Sequence, residues 1–430
     1  MSASRGLLVW AALGCLIACA AALGPWAVPV AASSSCDPDG TQASGAVYRI
    51  CMPGTGQWNG DLVVYAHGYV GYNEPIAIPE DQLRITDDVS IPQIANGLGF
   101  AFATTSYRTN GLAVLPGIED LLDLVDLFSR RYGVPTRVYL VGASEGGIIT
   151  ALATERHGDV FDGGLSTCGP VGNFQSQINY WGDARLLFDY FFPGVIPGSP
   201  VAIPQEVIDQ WDDVYSPRVE EALRGNPSLR DQFLRTARIP AHPTDLDKTI
   251  EAVLDLLWYN VFATNDGVAK LGGQPYDNTQ RLYRGSDDDA RLNRTVPRFA
   301  ADVAALRTID SSYQTTGALS GPLVTLHTAS DAIVPYWHEP IYASKITAAG
   351  AGDQHLNIPV LLRYGHCNFS PAQALIGFVL LVRQATGSAL VDAERVLEQA
   401  EDRAEYRRLA TEYGIPVTWE HPVYLPVTWR

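Results

Sequence analysis

After its first residues the chain lacks any apolar run long enough to span a bilayer. Basic residues are in short supply: 30 Lys and Arg face 47 Asp and Glu, for a net charge of −17. That deficit argues against a nucleic-acid partner, because phosphate binding needs clustered Lys and Arg. It equally opposes adsorption to anionic lipid, and the acidic excess reads as a solvated surface. No Gly-rich phosphate loop and no cluster at metal-ligand spacing occurs, so no cofactor and no metal are expected. Internal repeats are missing as well. What is present is the composition of a packed globular protein, 47% apolar and 10% aromatic. A length of 430 residues allows one large catalytic domain with an insertion, or two ordinary domains.

The N-terminus reads as an export signal over residues 1–32. Arg5 supplies a positive start, Gly6 to Leu23 carries no charge, and Val30-Ala31-Ala32 before Ser33 suits cleavage. Leu16-Ile17-Ala18-Cys19 offers a second reading, a lipoprotein box with a lipid anchor at Cys19 and a cell-surface location. A retained N-terminal anchor is a third. Apart from such an anchor no membrane partner is expected. Export leaves four cysteines, Cys36, Cys51, Cys168 and Cys367, an even number that suggests two disulfides. Three pairings are open. If Cys36 and Cys51 close a short loop, Cys168 and Cys367 join two distant segments.

From Ala46 to Pro170 short apolar runs alternate with helical periods. Leu62–Ala66, Phe100–Thr105, Arg137–Val141 and Phe161–Ser166 read as buried strands. Ile118–Tyr132 is an amphipathic helix, with Leu121, Leu122, Val125 and Phe128 on one stripe, and Ile148–Arg156 is a second helix. Such alternation implies a parallel sheet with helices on both faces. It resumes at Leu323–His327 and Ile358–Arg363, with helices over Ile341–Ala348 and Pro371–Ala385. The stretch between, residues 171–321, holds helical segments such as Gln205–Ala222 and Leu246–Phe262. It is rich in aromatics, with Tyr180, Trp181, Phe188, Tyr190, Phe191 and Phe192 in one group and Trp258, Tyr259 and Phe262 in another. We read it as a helical cap inserted into a sheet domain formed by 33–170 and 322–388. Residues 389–430 form a C-terminal extension without an assignable role.

Gly142-Ala143-Ser144-Glu145-Gly146 lies where a strand passes into a helix. The tight turn admits only small flanking residues and lifts the Ser144 hydroxyl above the sheet edge, over a helix N-terminus. A Ser hydroxyl needs a base to take its proton. His366, just past the last strand, is placed to reach back over that edge. His67 is in the wrong loop, and His157, His242, His355 and His421 read as surface or packing residues. His327 and His338 flank the acid loop as outside candidates. Asp331, directly after a strand, can hold the imidazole tautomer and stabilise the imidazolium. In His67-Gly68-Tyr69, which follows Leu62–Ala66, Gly68 lets the Tyr69 N–H point at a substrate oxygen. The Glu145 N–H would be the second oxyanion donor.

These motifs resemble the α/β-hydrolase superfamily, in its branch of exported, capped serine esterases and lipases, over about Ala46–Ala385. The resemblance implies an eight-stranded, mostly parallel sheet and a Ser144–His366–Asp331 triad. Phe102–Gly111 is similar to the superfamily's fourth-strand segment. In tannases and feruloyl esterases a Cys before the nucleophile pairs with one after the catalytic His. Cys367 fits the second position, position 143 is Ala, and Cys168 could serve from the next strand end. Dehalogenases with an Asp nucleophile and dienelactone hydrolases with Cys are excluded by Ser144. The expected function is cleavage of a small-molecule or polymeric carboxylic ester through an acyl-enzyme. The alternative is a secreted exopeptidase, with Asp212-Asp213 or Glu220-Glu221 capturing an amine terminus. A non-catalytic binding protein fits a complete constellation poorly.

Overall fold

A computed structural model describes residues 35–417. The export signal over 1–32, its cleavage site, Cys19 and the tail beyond 417 lie outside the described residues. Strands β1 (Ser35–Cys36), β2 (Gly40–Thr41) and β3 (Val47–Met52) open the chain, followed by β4 (Leu62–Ala66). A small hairpin, β5 (Arg84–Thr86) and β6 (Val89–Ser90), leads into α1 (Ile91–Gly97). Then come β7 (Ala101–Thr105), α2 (Val114–Tyr132), β8 (Val138–Ala143), α3 (Glu145–Arg156) and β9 (Gly163–Thr167).

Between β9 and the next strand the chain leaves the sheet for α4 (Phe174–Phe191), α5 (Gln205–Asp209), α6 (Ser216–Gly225), α7 (Pro227–Ala237), α8 (Leu246–Leu271), α9 (Asp289–Thr295) and α10 (Val303–Thr308). It returns as β10 (Leu323–Ser330), α11 (His338–Ala348), β11 (His355–Tyr364) and α12 (Pro371–Thr386), and α13 (Ala400–Glu412) follows.

The main sheet runs β1-β3-β7-β4-β8-β9-β10-β11, with the two-residue β2 beside β3 as a ninth strand. Its first strands pair antiparallel, and from β7 onward every pairing is parallel. The expected eight-stranded, mostly parallel sheet is thus present, with the small β2 added. All five residues of β4 and of β7 are buried, as strands covered on both faces require. Helices α2 and α3 cover one face through Leu121, Leu124, Phe128, Ile149 and Leu152. The other face packs on α1, α12 and α13 through Leu375, Phe378, Val379, Tyr406 and Leu409. The described part of the C-terminal extension is therefore core material. The helix expected over Gln205–Ala222 is broken into α5, a π-helical turn at Trp211–Tyr215, and α6. Pro217 in the first turn of α6 lacks the N–H that a continuous helix would use.

The inserted helices have their own aromatic core, with Phe188, Phe192, Trp211, Tyr215 and Phe233 at its centre. That core includes Ala332, Ile333 and Val334, the loop just after β10. Tyr180 donates to the Ala332 carbonyl at 2.8 Å, and Gln177 and Trp181 both donate to that of Ile333 at 2.8 and 3.0 Å. Fully buried Arg185 ties α4 to its surroundings. It donates to Asp189 at 2.9 Å and to the Ile196 and Pro197 carbonyls at 3.0 Å each. Arg185→Met should cost about 3–5 kcal/mol in denaturant unfolding, because Asp189 and two carbonyls lose their donor. A change within experimental error would show that the guanidinium does not anchor this segment.

Candidate functional site

Ser144 sits between β8 and α3 with φ 56° and ψ −116°, a backbone state that L side chains rarely adopt. Close approach of neighbouring backbone enforces it. A Cβ on Gly142 would lie 2.1 Å from the Gly146 carbonyl oxygen, and one on Gly146 would lie 1.9 Å from that of Ala66. The Ser144 N–H is held by the Thr167 carbonyl at 2.9 Å. The hydroxyl therefore stands at the carboxyl ends of β4, β8 and β9.

The structure brings Ser144, His366 and Asp331 into one hydrogen-bonded chain. Ser144 Oγ lies 2.8 Å from His366 Nε2, and His366 Nδ1 lies 2.7 Å from Asp331 Oδ2. The other carboxylate oxygen, Oδ1, accepts the Ile333 and Val334 N–H groups at 2.8 and 2.9 Å. Burial pushes the Asp331 carboxyl up, but the His366 charge and hydrogen bond, with His327 beyond, outweigh it and hold the group below its usual range.

The two flanking histidines have separate roles. His338 is buried; its Nδ1 accepts the Gly172 N–H at 3.0 Å and its Nε2 meets Gln177 Oε1 at 2.7 Å. That is a neutral, structural histidine, held well below its usual pKa by burial. His327 differs. Its Nδ1 faces Glu339 Oε1 at 2.9 Å and its Nε2 faces the Val334 carbonyl at 2.8 Å. An acceptor at each ring nitrogen favours the doubly protonated, charged ring, with both N–H groups donating. Burial opposes that charge, yet Glu339 and Asp331 raise the pKa overall. Its Nε2 is 3.7 Å from Asp331 Oδ2. A second histidine–carboxylate pair thus stands behind Asp331. In sequence the Glu339 partner was hidden, twelve residues on in α11.

The Gly68 loop presses on Ser144: a Cβ on Gly68 would come within 3.2 Å of Ser144 Cβ. Gln82, which the sequence did not single out, clamps this loop. It accepts the Gly68 N–H at 2.7 Å and donates to the Tyr69 carbonyl at 3.2 Å. Among the described residues no acceptor is bonded to the Tyr69 N–H, and the Ser144 side chain does not cap α3. His67 is buried against Tyr107, with ring centroids 4.0 Å apart, and desolvation lowers it to about 4. It is no base.

Disulfides join Cys36 to Cys51 and Cys168 to Cys367. The second spans 199 residues and ties the end of β9 to the residue after His366. Cys168 and Cys367 both have positive φ, 47° and 48°. Two cavities open on Ser144. One, of about 90 Å³, lies under the inserted helices and is lined by Trp181, Phe174, Leu112 and Leu271 among others. The second, of about 320 Å³, runs along the sheet beside His366, Phe369 and Phe378. Tyr69 and Tyr259 line both. Tyr259, on α8, stacks on Trp181 with centroids 5.0 Å apart, and its phenol approaches Ser144.

Glu145 has a buried side chain besides its backbone N–H. Oε1 accepts the Ala113 N–H at 2.9 Å, while Oε2 has no partner among the described residues. Burial pushes this carboxyl up to about 8 from 4.5. Between those values the unfolded chain releases a proton that the folded chain keeps, so Glu145 lowers stability as pH rises through that window. Glu145→Gln keeps the shape without the ionisation. Its thermal stability should match wild type near pH 4.5 and exceed it progressively toward pH 8, by up to about 1.4 kcal/mol per unit. Parallel stability curves would mean that the carboxyl titrates normally.

Residues 92–181, which span α1 to the start of α4, match the Prolyl oligopeptidase family. No curated protein matches the chain in sequence. Similar solved structures include the Pyrococcus horikoshii acylaminoacyl peptidase, at 12% identity and a TM-score of 0.43, covering 86% of this chain and 44% of that one. The chain thus spans less than half the length of that peptidase. A Pyrococcus furiosus esterase shares 11% identity with a TM-score of 0.43, covering 82% of this chain and 92% of its own. Feruloyl esterase B from Aspergillus oryzae shares 16% identity with a TM-score of 0.41, covering 82% and 81%. The sheet order and the strand–Ser144–helix turn, with the matched segment around it, are those of the α/β-hydrolase fold.

Proposed function

We propose that the protein is an exported serine hydrolase that cleaves carboxylic esters through an acyl-enzyme on Ser144. The observation that carries this reading is the hydrogen-bonded chain from Ser144 through His366 to Asp331. His366 Nε2 takes the hydroxyl proton as Ser144 Oγ attacks the ester carbonyl. The Tyr69 and Glu145 N–H groups, one on the Gly68 loop and one at the N-terminus of α3, hold the oxyanion. His366 then passes its proton to the leaving alcohol oxygen, and water repeats the sequence to free the acid. Asp331 fixes the tautomer and offsets the imidazolium charge. Two disulfides accord with an oxidising, extracellular location.

The apolar enclosure beside Ser144 supports an ester substrate. The Prolyl oligopeptidase match favours the peptidase alternative. Against it, Asp212 and Glu220, weighed as amine-capturing residues, line an open cleft of the inserted helices that does not include Ser144. There Arg224 already pairs with Glu220 at 2.8 Å and with Asp247 at 2.7 Å.

A fluorophosphonate probe should label wild type and spare Ser144→Ala; equal labelling of both would remove Ser144 from the mechanism. p-Nitrophenyl esters assayed beside aminoacyl anilides should be cleaved in preference, and the opposite preference would install the peptidase reading. Replacing Cys168 by Ala frees the His366 loop. We expect a loss of about 10- to 100-fold in kcat and a stability loss of about 2–5 kcal/mol. Cys36→Ala should leave kcat near wild type, and equal kcat losses in both variants would show that the Cys168 bridge does not position His366.

A further inference from the structure

The two cavities at Ser144 differ in one respect that bears on the chemistry. Only the sheet-side cavity is lined by His366; the one beneath the inserted helices is not. In acyl transfer the departing oxygen must take its proton from the imidazole, so the group it carries lies on the His366 side. What remains bonded to Ser144 Oγ lies on the other side. On the ester reading above, the cavity beneath the inserted helices therefore receives the acyl group.

Helix α8 forms one wall of that cavity. Tyr259, Ala263, Gly267 and Leu271, at four-residue intervals on one helix face, all line it. Tyr259 stands at the Ser144 end, and Gly267 lies two turns farther, about 12 Å along the axis. Gly267 is buried within a 26-residue helix. Glycine there costs about 1 kcal/mol relative to alanine. Packing explains some helical glycines in this protein: a Cβ on Gly182 of α4 would lie 2.4 Å from the Tyr276 ring. It does not explain Gly267, where an added Cβ would meet nothing within 4 Å. The side chain that is missing from α8 is open cavity.

We propose that this cavity is an acyl subsite for an apolar acyl group much longer than acetyl, and that Gly267 sets its depth. Trp181, Phe174, Leu112 and Leu271 supply apolar walls. The leaving alcohol takes the sheet-side cavity, against Ile94, Phe369 and Phe378.

The test compares wild type, Gly267→Ala and Gly267→Leu on two series. One varies the acyl group as p-nitrophenyl acetate, butyrate and octanoate; the other varies the alcohol as methyl, butyl and octyl acetate. Wild type should favour octanoate over acetate in kcat/KM. Gly267→Leu should lower that preference by about tenfold or more, with Gly267→Ala between, while the octyl-to-methyl preference in the alcohol series stays put. Gly267→Ala should also unfold no earlier than wild type, since it removes a helix glycine. A wild-type preference for acetate, an equal loss at every acyl length, or a shift confined to the alcohol series would overturn the assignment. The same acyl series is run as anilides. If esters are not cleaved and anilides are, the ester reading falls, and the Gly267 effect on acyl length in the anilides still decides the subsite.

Discussion

The backbone at Ser144 is the constraint on which the rest of the molecule turns. A serine at φ 56° is held there because β8 and α3 meet almost in contact. Gly142, Gly146 and Gly147 let the chain pass within touching distance of itself, of β4 and of the segment after β9: a Cβ on Gly147 would lie 2.8 Å from Gly169 Cα. Such strain persists only where the surroundings over-determine it. Here the surroundings are the centre of a parallel sheet, buried on both faces, whose strands were laid down far apart in sequence. The strain is not confined to Ser144. Cys168 and Cys367 also adopt positive φ, and a covalent bond joins them. Three unfavourable backbone positions thus surround one hydroxyl.

Electrostatics behind the hydroxyl follow the same logic of enclosure. Asp331 is 1% exposed, so water does little to hold its charge. Two backbone N–H groups, the His366 imidazole and the nearby His327 ring do so instead. His327 has Glu339 at one ring nitrogen and the Val334 carbonyl at the other. Glu339 is itself fixed by Thr325 and Asn357, each at 2.7 Å. Hydrogen-bonded polar groups therefore continue inward from Ser144 along β10 and α11, and each is compensated by its neighbour and not by solvent.

The features legible in the sequence were local ones. A Ser between small residues, a strand before it and a helix after it can be read from one short window. The positions of Asp331 and His366 after later strands follow from the alternation of apolar runs. Other residues owe their place to tertiary packing and left no local trace. Gln82 reaches the Gly68 loop from a separate turn, and Glu339 reaches His327 from the next helix. Tyr259 and Gly267 are ordinary helix residues until α8 is laid over Ser144. The C-terminal extension shows a charged pattern, and yet Tyr406, Leu409 and Ala410 are buried against α12. The helix expected over 205–222 is interrupted at Gln210 and resumes through a π-helical turn just before Pro217, because apolar periodicity continues through such breaks whereas regular backbone hydrogen bonding does not.

Loops at the ends of β10 and β11 carry Asp331 and His366, the proposed acid and base, and loops are the least rigid parts of such a fold. Geometry good to a few tenths of an ångström needs each loop tied elsewhere. The His366 loop is tied covalently to the end of β9. The Asp331 loop is tied by α4, whose Gln177, Tyr180 and Trp181 donate to the carbonyls that directly follow the acid. Arg185, one turn further along α4, in turn grips the chain that leads on from that helix and faces Asn260 on α8 at 3.5 Å. The inserted helices are consequently more than a cover. The helix that aligns the acid and the helix that lines the proposed acyl cavity are braced against one another, so alignment of the base–acid pair and the shape of the binding space depend on the same contacts.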